Sequence, residues 1–391
     1  MRLFVSTWVM MVGMLAFTPR AEAQVTPVAN AAGPTITRAD LGAAYLRLDK
    51  AYASATLDDS TRSTINRQFD RATLSFFAGR FAAAVAGVDS ATTALTGSPI
   101  EPSPALPPRL VNGRLPSAVR DAFLARLANI DSAGPLAQAF VSARARAELL
   151  VDVPSRERSA EFLSDPAQLA RELSREVGVL ERGRDPYVGQ AGDAWRMFRG
   201  ANGALIPMRL VAPNAAATSG APVPVIIALH GAGGDENMFI DAYGAGVIAT
   251  MGMAANAIVV SPATSAFGAS PANFDSLMAV LRSEYRVNGA RVYVLGHSMG
   301  AGAAARLVQQ RPQQIAAAAC LAGGAAVTVP NAPSVLFISA SLDPIALTRV
   351  VEAAAKGSPT GSYRQLDHEG HTLMVGNGVK MALPWLLSHR P

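Results

Sequence analysis

Gly296-His297-Ser298-Met299-Gly300 sets a serine between two glycines, each two places away. An apolar, β-branched run, Arg291-Val292-Tyr293-Val294-Leu295, leads into it, and an Ala-rich stretch from Ala301 to Gln310 leads out. The pattern predicts strand, tight turn and helix, with the serine at the apex. A hydroxyl held there is exposed on a strained backbone. Side chains at the flanking positions would strike neighbouring backbone, so glycine is used. The helix N-terminus under the serine favours negative charge developing beside it. These residues suit nucleophilic attack on a carbonyl carbon.

Such a serine needs donors for the oxyanion, a base and an acid. Val223-Pro224-Val225-Ile226-Ile227-Ala228-Leu229 reads as a buried parallel strand and runs into His230-Gly231-Ala232-Gly233-Gly234-Asp235-Glu236. Glycines let that loop turn amides toward a substrate oxygen. The expected donors are the N–H groups of Ala232 and Met299, with Gly231 or Gly233 as alternatives to Ala232. A second buried strand, Ser334 to Ala340, ends at Ser341-Leu342-Asp343-Pro344. An acid at the carboxyl end of a parallel strand faces the crevice where such sheets bind ligands, which makes Asp343 the expected partner of the base. Helix capping is its alternative use, and Asp367 is its rival. Of the five histidines, His230 and His297 lie inside the two loops just described and His389 lies in the tail. His368 and His371 remain, and Gly370-His371 is the better presentation of an imidazole from a loop.

The order Ser298, Asp343, His371 matches the α/β-hydrolase arrangement. From about Trp195 to the C-terminus the chain resembles an α/β-hydrolase. It is most similar to secreted esterases of the polyhydroxybutyrate-depolymerase, dienelactone-hydrolase and prolyl-oligopeptidase-like groups, through Tyr285 to Ala301 and His230 to Glu236. The resemblance implies hydrolysis of esters or related acyl compounds by a serine nucleophile, with no metal and no cofactor. A small-molecule or polymeric ester is the implied substrate. A prolyl-oligopeptidase-like peptidase would use the same triad, and a non-catalytic binding protein on a hydrolase scaffold is the reading from another class. Two departures stand out: Ala301 where many relatives carry glycine, and a single cysteine where many secreted relatives use disulfides.

The elements that must hold these residues fall into two parts. Strands and helices alternate from 192 to 391, predicting a mostly parallel sheet with helices on both faces, an α/β fold. Trp195–Arg199 and Leu205–Val211, joined by Gly200-Ala201-Asn202-Gly203, predict an opening hairpin. The loop from Pro262 to Ala272, with Phe267, is a candidate wall of the acyl pocket or, equally, a plain surface connection. Residues 24–183 read as an all-α N-terminal domain. Leu41, Tyr45, Leu48 and Tyr52 give one apolar stripe, and Phe69, Phe76, Phe77, Phe81, Val85 and Val88 another. Ala78 to Val85 resembles the second helix of a tetratricopeptide-type hairpin, but one hairpin makes no array, and a helical bundle is preferred. A Pro-rich connector spans about 98–108. Shielding of the active site, or binding of a protein partner or polymer, are the uses open to this domain.

Residues 1–23 combine Arg2, an apolar run from Leu3 to Phe17 and an Ala21-Glu22-Ala23 ending. That is a signal-peptide pattern, so the expected location is secreted or periplasmic, with no stable membrane insertion after cleavage. The net charge of +5 comes from arginines dispersed among acids, without a basic stripe interleaved with aromatics, so nucleic acid is not an expected partner. Cys320 sits in an apolar run and reads as core rather than reactive thiol.

Overall fold

The computed structural model describes residues 36, 38–100, 115–132, 134–151, 166–217 and 220–390. The expected signal peptide and most of the Pro-rich connector lie outside the described residues. From Ile36 onward the chain forms one unit.

Eight strands form one sheet: β1 (Gly192–Arg199), β2 (Leu205–Ala212), β3 (Val223–Leu229), β4 (Ile258–Pro262), β5 (Val287–His297), β6 (Ala317–Leu321), β7 (Ser334–Ala340) and β8 (Gly361–Leu366). Their spatial order is β1-β2-β4-β3-β5-β6-β7-β8. β1 and β2 are the predicted antiparallel hairpin, β2 pairs antiparallel with β4, and every other pairing is parallel. The central strands are buried on both sides, which explains their continuous apolar runs.

The two-residue period of a strand divides those runs between two cores. Ile226, Ala228, Tyr293, Leu295, Ala319 and Ile338 face one way. Val225, Ile227, Leu229, Val294, Cys320 and Phe337 face the other. The helices are α1 (Arg38–Ser54), α2 (Asp59–Phe77), α3 (Phe81–Thr96), α4 (Ser117–Leu127), α5 (Ala137–Leu149), α6 (Pro166–Leu180), α7 (Tyr243–Ala254), α8 (Thr264–Phe267), α9 (Ala272–Glu284), α10 (Met299–Gln310), α11 (Thr348–Lys356) and α12 (Met374–Ser388). α9, α10 and α11 cover the second face. α7 and α12 cover the first, and α1–α3 share that core through Leu48, Tyr45, Ile65, Phe69 and Val88.

α4–α6 have a small core of their own around Leu127, Leu150, Leu173 and Tyr187. α5 also closes the free edge of β1. Gln138 Nε2 donates to the Met197 carbonyl at 2.6 Å, Arg146 Nη1 to that of Trp195 at 2.6 Å, and the Met197 N–H to Ser142 Oγ at 3.2 Å. An edge strand whose backbone groups are taken in this way cannot recruit another chain.

Phe267 does not line the site expected of it. It is buried in the second core, against a different cavity from the one beside Ser298. Cys320 is buried, as its apolar neighbours predict, and burial pushes its thiol pKa up to about 12.

Candidate active site

β5 delivers Ser298 and α10 begins at the next residue. Ser298 has φ 55° and ψ −115°, a region that residues with a Cβ seldom enter. The strain is held by surrounding bonds: the Ser298 N–H donates to the Leu321 carbonyl at 2.9 Å, and the Gly302 N–H to the Ser298 carbonyl at 3.2 Å. The glycines have the reason the spacing predicted. A Cβ on Gly296 would overlap the Gly300 carbonyl, and one on Gly300 would overlap the Leu229 carbonyl of β3.

Three side chains from three separate segments converge at the turn. His371 Nε2 lies 2.9 Å from Ser298 Oγ, and His371 Nδ1 lies 2.8 Å from Asp343 Oδ2. Asp343 accepts, so Nδ1 carries the proton and Nε2 is free to accept from the serine hydroxyl. Asp343 follows β7, but no helix begins at Pro344; α11 starts at Thr348. Its Oδ1 instead accepts the N–H groups of Ile345 at 2.7 Å and Ala346 at 2.8 Å, which leaves Oδ2 for the imidazole. Closing the turn and orienting the imidazole thus use different oxygens of one carboxylate. The rivals lie elsewhere. Asp367 is exposed and accepts from Gln365, while His368 meets Ser63 Oγ at 3.0 Å and Asp59 at 3.5 Å. His389 stacks on Trp385.

Ala232 and Met299 both flank the serine. Ala232 lines the same cavity as Ser298. Met299 is the first residue of α10, where backbone N–H groups have no partner within the helix. Gly231 does not serve as donor, because its N–H is given to the Tyr243 hydroxyl at 3.3 Å. Tyr243 in turn approaches His297 Nδ1 at 2.9 Å, and His297 Nε2 lies 2.9 Å from the His371 carbonyl. A carbonyl only accepts, so His297 is protonated on Nε2 and receives the Tyr243 O–H at Nδ1. Burial and the neighbouring His371 hold its pKa well below the usual histidine value, so it stays neutral. His230 fixes the loop from its other end: Nδ1 meets the Gly231 carbonyl at 2.8 Å and Nε2 accepts the Thr264 N–H at 2.9 Å.

The N-terminal helices roof the site, one of the uses left open for them by the sequence, which did not say which of their residues would do so. A cavity of about 120 Å³ opens beside Ser298 and is walled by Leu41, Tyr45, Phe69 and Phe76 from the N-terminal helices, with Met238 and Ala232 opposite. Gly233 (φ +78°) packs directly under the Phe76 ring; a Cβ there would come within 2.5 Å of it. The apolar stripe of α2 was legible, but it read as bundle core rather than as a wall facing the serine.

A polar stripe on the same helix also went unread. Arg62, Asn66 and Asp70 recur every four residues, so they share one helix face. All three meet the loop that carries His371: Arg62 reaches Glu369, Asn66 accepts the Gly370 N–H, and Asp70 accepts the His371 N–H. Among the described residues no group of three or more His, Cys, Asp or Glu side chains is placed to hold a metal ion.

A family model described as "Serine aminopeptidase, S33" matches residues 263–368, a stretch that holds Ser298 and Asp343 and ends just before His371. The fold is that of an α/β-hydrolase. The antiparallel opening, the parallel strand order and the nucleophile turn after β5 are all of that fold. The family match takes in 106 of the chain's 391 residues. No curated protein matches it. Among solved structures it is similar to a thermostable esterase (21% identity, 51% of this chain and 63% of that one, TM-score 0.41). It is also similar to an S-formylglutathione hydrolase from Agrobacterium tumefaciens (15%, 52% and 97%, TM-score 0.42). A third is the feruloyl esterase module from Clostridium thermocellum (15%, 51% and 89%, TM-score 0.42). The α/β-hydrolase therefore spans less than two thirds of the first of these, and each alignment takes in about half of its own length.

Proposed function

We propose that the chain is an exported carboxylic-ester hydrolase acting through Ser298, His371 and Asp343. The observation that carries this reading is the unbroken line from Asp343 Oδ2 to His371 Nδ1 and from His371 Nε2 to Ser298 Oγ, at 2.8 and 2.9 Å. Ser298 Oγ forms a bond to the ester carbonyl carbon as its proton passes to His371 Nε2. The carbonyl oxygen takes the negative charge and lies against the N–H groups of Ala232 and Met299. Collapse breaks the bond to the alcohol, which leaves with the proton from His371. Water then repeats the sequence on the acyl-enzyme and releases the acid. Asp343 holds the imidazole in its working tautomer and stabilises the imidazolium.

The cavity beside the serine points to the substrate. At about 120 Å³, walled by Leu41, Phe69 and Phe76, it is on the scale of one aromatic ring or a short alkyl chain. An aminopeptidase must hold a free ammonium, and the described residues lining this cavity include no acid. That favours an ester with a compact apolar acyl group over a peptide with a free N-terminus. Export rests on the signal-peptide pattern of residues 1–23.

The test is hydrolysis of p-nitrophenyl esters, acetate through palmitate, by wild type and Ser298→Ala. The expected result is serine-dependent turnover that peaks between butyrate and hexanoate and falls steeply by palmitate. Parental turnover in Ser298→Ala would overturn the nucleophile assignment. Fluorophosphonate labelling without ester turnover would favour the peptidase, and neither signal would favour the non-catalytic reading.

A further inference from the structure

The loop that presents His371 has few bonds of its own and many to helices about three hundred residues earlier in the chain. Asp70 of α2 accepts the His371 N–H with both carboxylate oxygens at 3.2 Å. Asn66, one turn earlier, accepts the Gly370 N–H at 2.7 Å through Oδ1 and gives its Nδ2 to the Tyr52 hydroxyl at 2.8 Å. Tyr52 of α1 donates to Glu369 Oε2 at 2.8 Å, and Arg62 donates to Glu369 Oε1 at 3.0 Å. The sheet side and α12 add further bonds: the His371 carbonyl meets His297 Nε2, the Leu342 N–H donates to the Glu369 carbonyl at 2.9 Å, the His368 N–H donates to Ser341 Oγ at 2.9 Å, and Asn377 Nδ2 donates to Glu369 Oε1 at 2.7 Å. Asn66, Asp70 and Glu369 are all more than 95% buried. Buried polar groups of this kind are costly unless paired, and here they are paired with one another and with this loop.

Gly370 shows how close the approach is. A Cβ there would overlap the Asp70 carboxylate and come within 3.2 Å of Asn66 Oδ1. Gly370 is the gap that lets α2 reach the backbone.

We propose that Asp70 and Asn66, supported by Tyr52 and Arg62 through Glu369, are positioning residues that set the depth of the His371 imidazole against Ser298. The N-terminal helices are then a working part of the hydrolase site rather than a separate module. The inference rests on the triad reading of Ser298, His371 and Asp343. None of the four side chains needs to touch substrate. They act through the backbone of the base, and displacing a reacting group by about 1 Å can cost on the order of 100-fold in rate.

Fluorophosphonate labelling of the full chain tests this without knowledge of the natural ester, because the label reports how readily Ser298 is activated. Wild type, Asp70→Ala, Asp70→Asn and Asn66→Ala are compared by kinact and KI, with melting temperature measured alongside. Asp70→Ala is expected to lose about 30- to 100-fold in kinact with KI within about threefold. Asp70→Asn, whose amide oxygen still accepts the His371 N–H, is expected to recover to within about fivefold of wild type. Asn66→Ala is expected to lose about 10-fold in kinact in the same pattern, and it carries the test if Asp70→Ala does not fold. Folded variants that label at the wild-type rate would overturn the proposal, as would a loss confined to KI or to melting temperature. A wild type that fails to label would instead sink the triad reading beneath it.

Discussion

Asp343→Asn is a perturbation whose outcome follows from the hydrogen bonds around one carboxylate. In the wild type, Oδ1 accepts two backbone N–H groups, from Ile345 and Ala346, while Oδ2 accepts from His371 Nδ1. An asparagine has one acceptor oxygen and one donor nitrogen. Two backbone donors at 2.7 and 2.8 Å fix the oxygen on their side, so the amide NH₂ faces the imidazole. A donor opposite Nδ1 forces the proton to Nε2. Nε2 then donates toward Ser298 Oγ and cannot take its proton. The loss is one of tautomer, on the order of 10⁴-fold in kcat, equivalent to about 5.4 kcal/mol in the barrier. Stability should change by no more than about 1 kcal/mol, because both backbone donors keep their acceptor. The assay is p-nitrophenyl butyrate turnover beside a thermal melt. Activity within tenfold of wild type, in a folded protein, would refute the argument that Asp343 sets the working tautomer.

Other sites give sharp expectations. Asp49 of α1 is buried and accepts the Ala245 N–H at 2.5 Å, and burial pushes its pKa up to about 7. A carboxyl whose folded pKa exceeds its unfolded one favours the fold while protonated. Its contribution is therefore full below about pH 4 and is lost as pH rises to 7, by at most about 4 kcal/mol. Asp49→Asn keeps the acceptor without the ionisation, so its melting temperature should match wild type at pH 4 and exceed it at pH 8; a constant difference at both pH values would count against the assignment. Gly300→Ala drives a methyl into the Leu229 carbonyl and should cost at least about 100-fold in turnover or abolish folding; near-normal turnover would mean that β3 and α10 are not packed as described. Thr73→Phe adds a ring to the cavity wall and should lower hexanoate turnover by about 10-fold or more while acetate stays within about threefold. A uniform fall across the ester series would place the acyl group elsewhere.

The readable parts of the chain were those with short-range causes. Gly296 answers a collision within its own turn, with the Gly300 carbonyl, and Gly300 answers one with the adjacent strand, at Leu229. The parallel sheet follows from apolar runs that alternate between two cores, as Ile226 and Ile227 do. Asp343 and His371 were found by their positions after strands and by chain order. The unreadable parts depend on segments far apart. Nothing near Phe267 says that it packs into the second core against a different cavity from the one beside Ser298, and nothing near Phe76 says that it lies over Gly233. The stripe of Arg62, Asn66 and Asp70 was visible as a spacing, but polar residues on a helix normally face water. Only the arrival of Glu369 and Gly370 gives them a buried use.

The distance along the chain between α2 and the His371 loop also has a consequence for folding. The Asp70–His371 bond spans 301 residues and the Tyr52–Glu369 bond 317. At a synthesis rate of about 5–20 residues per second, α1 and α2 wait roughly 15–60 s before their partner loop exists. During that wait Asn66 can bond to Tyr52 and Arg62, but its Oδ1 and the Asp70 carboxylate lack the Gly370 and His371 N–H groups that they accept in the folded chain. The closing contact joins two ends of the chain and is among the most non-local in the molecule, the kind that forms late. The turn of Ser298 is held by Leu229 and Leu321, both made before the loop of His371, so it can be shaped before His371 is fixed in place. On refolding, the sheet should therefore form first and His371 settle against Ser298 afterwards, when α1 and α2 grip the loop that carries it.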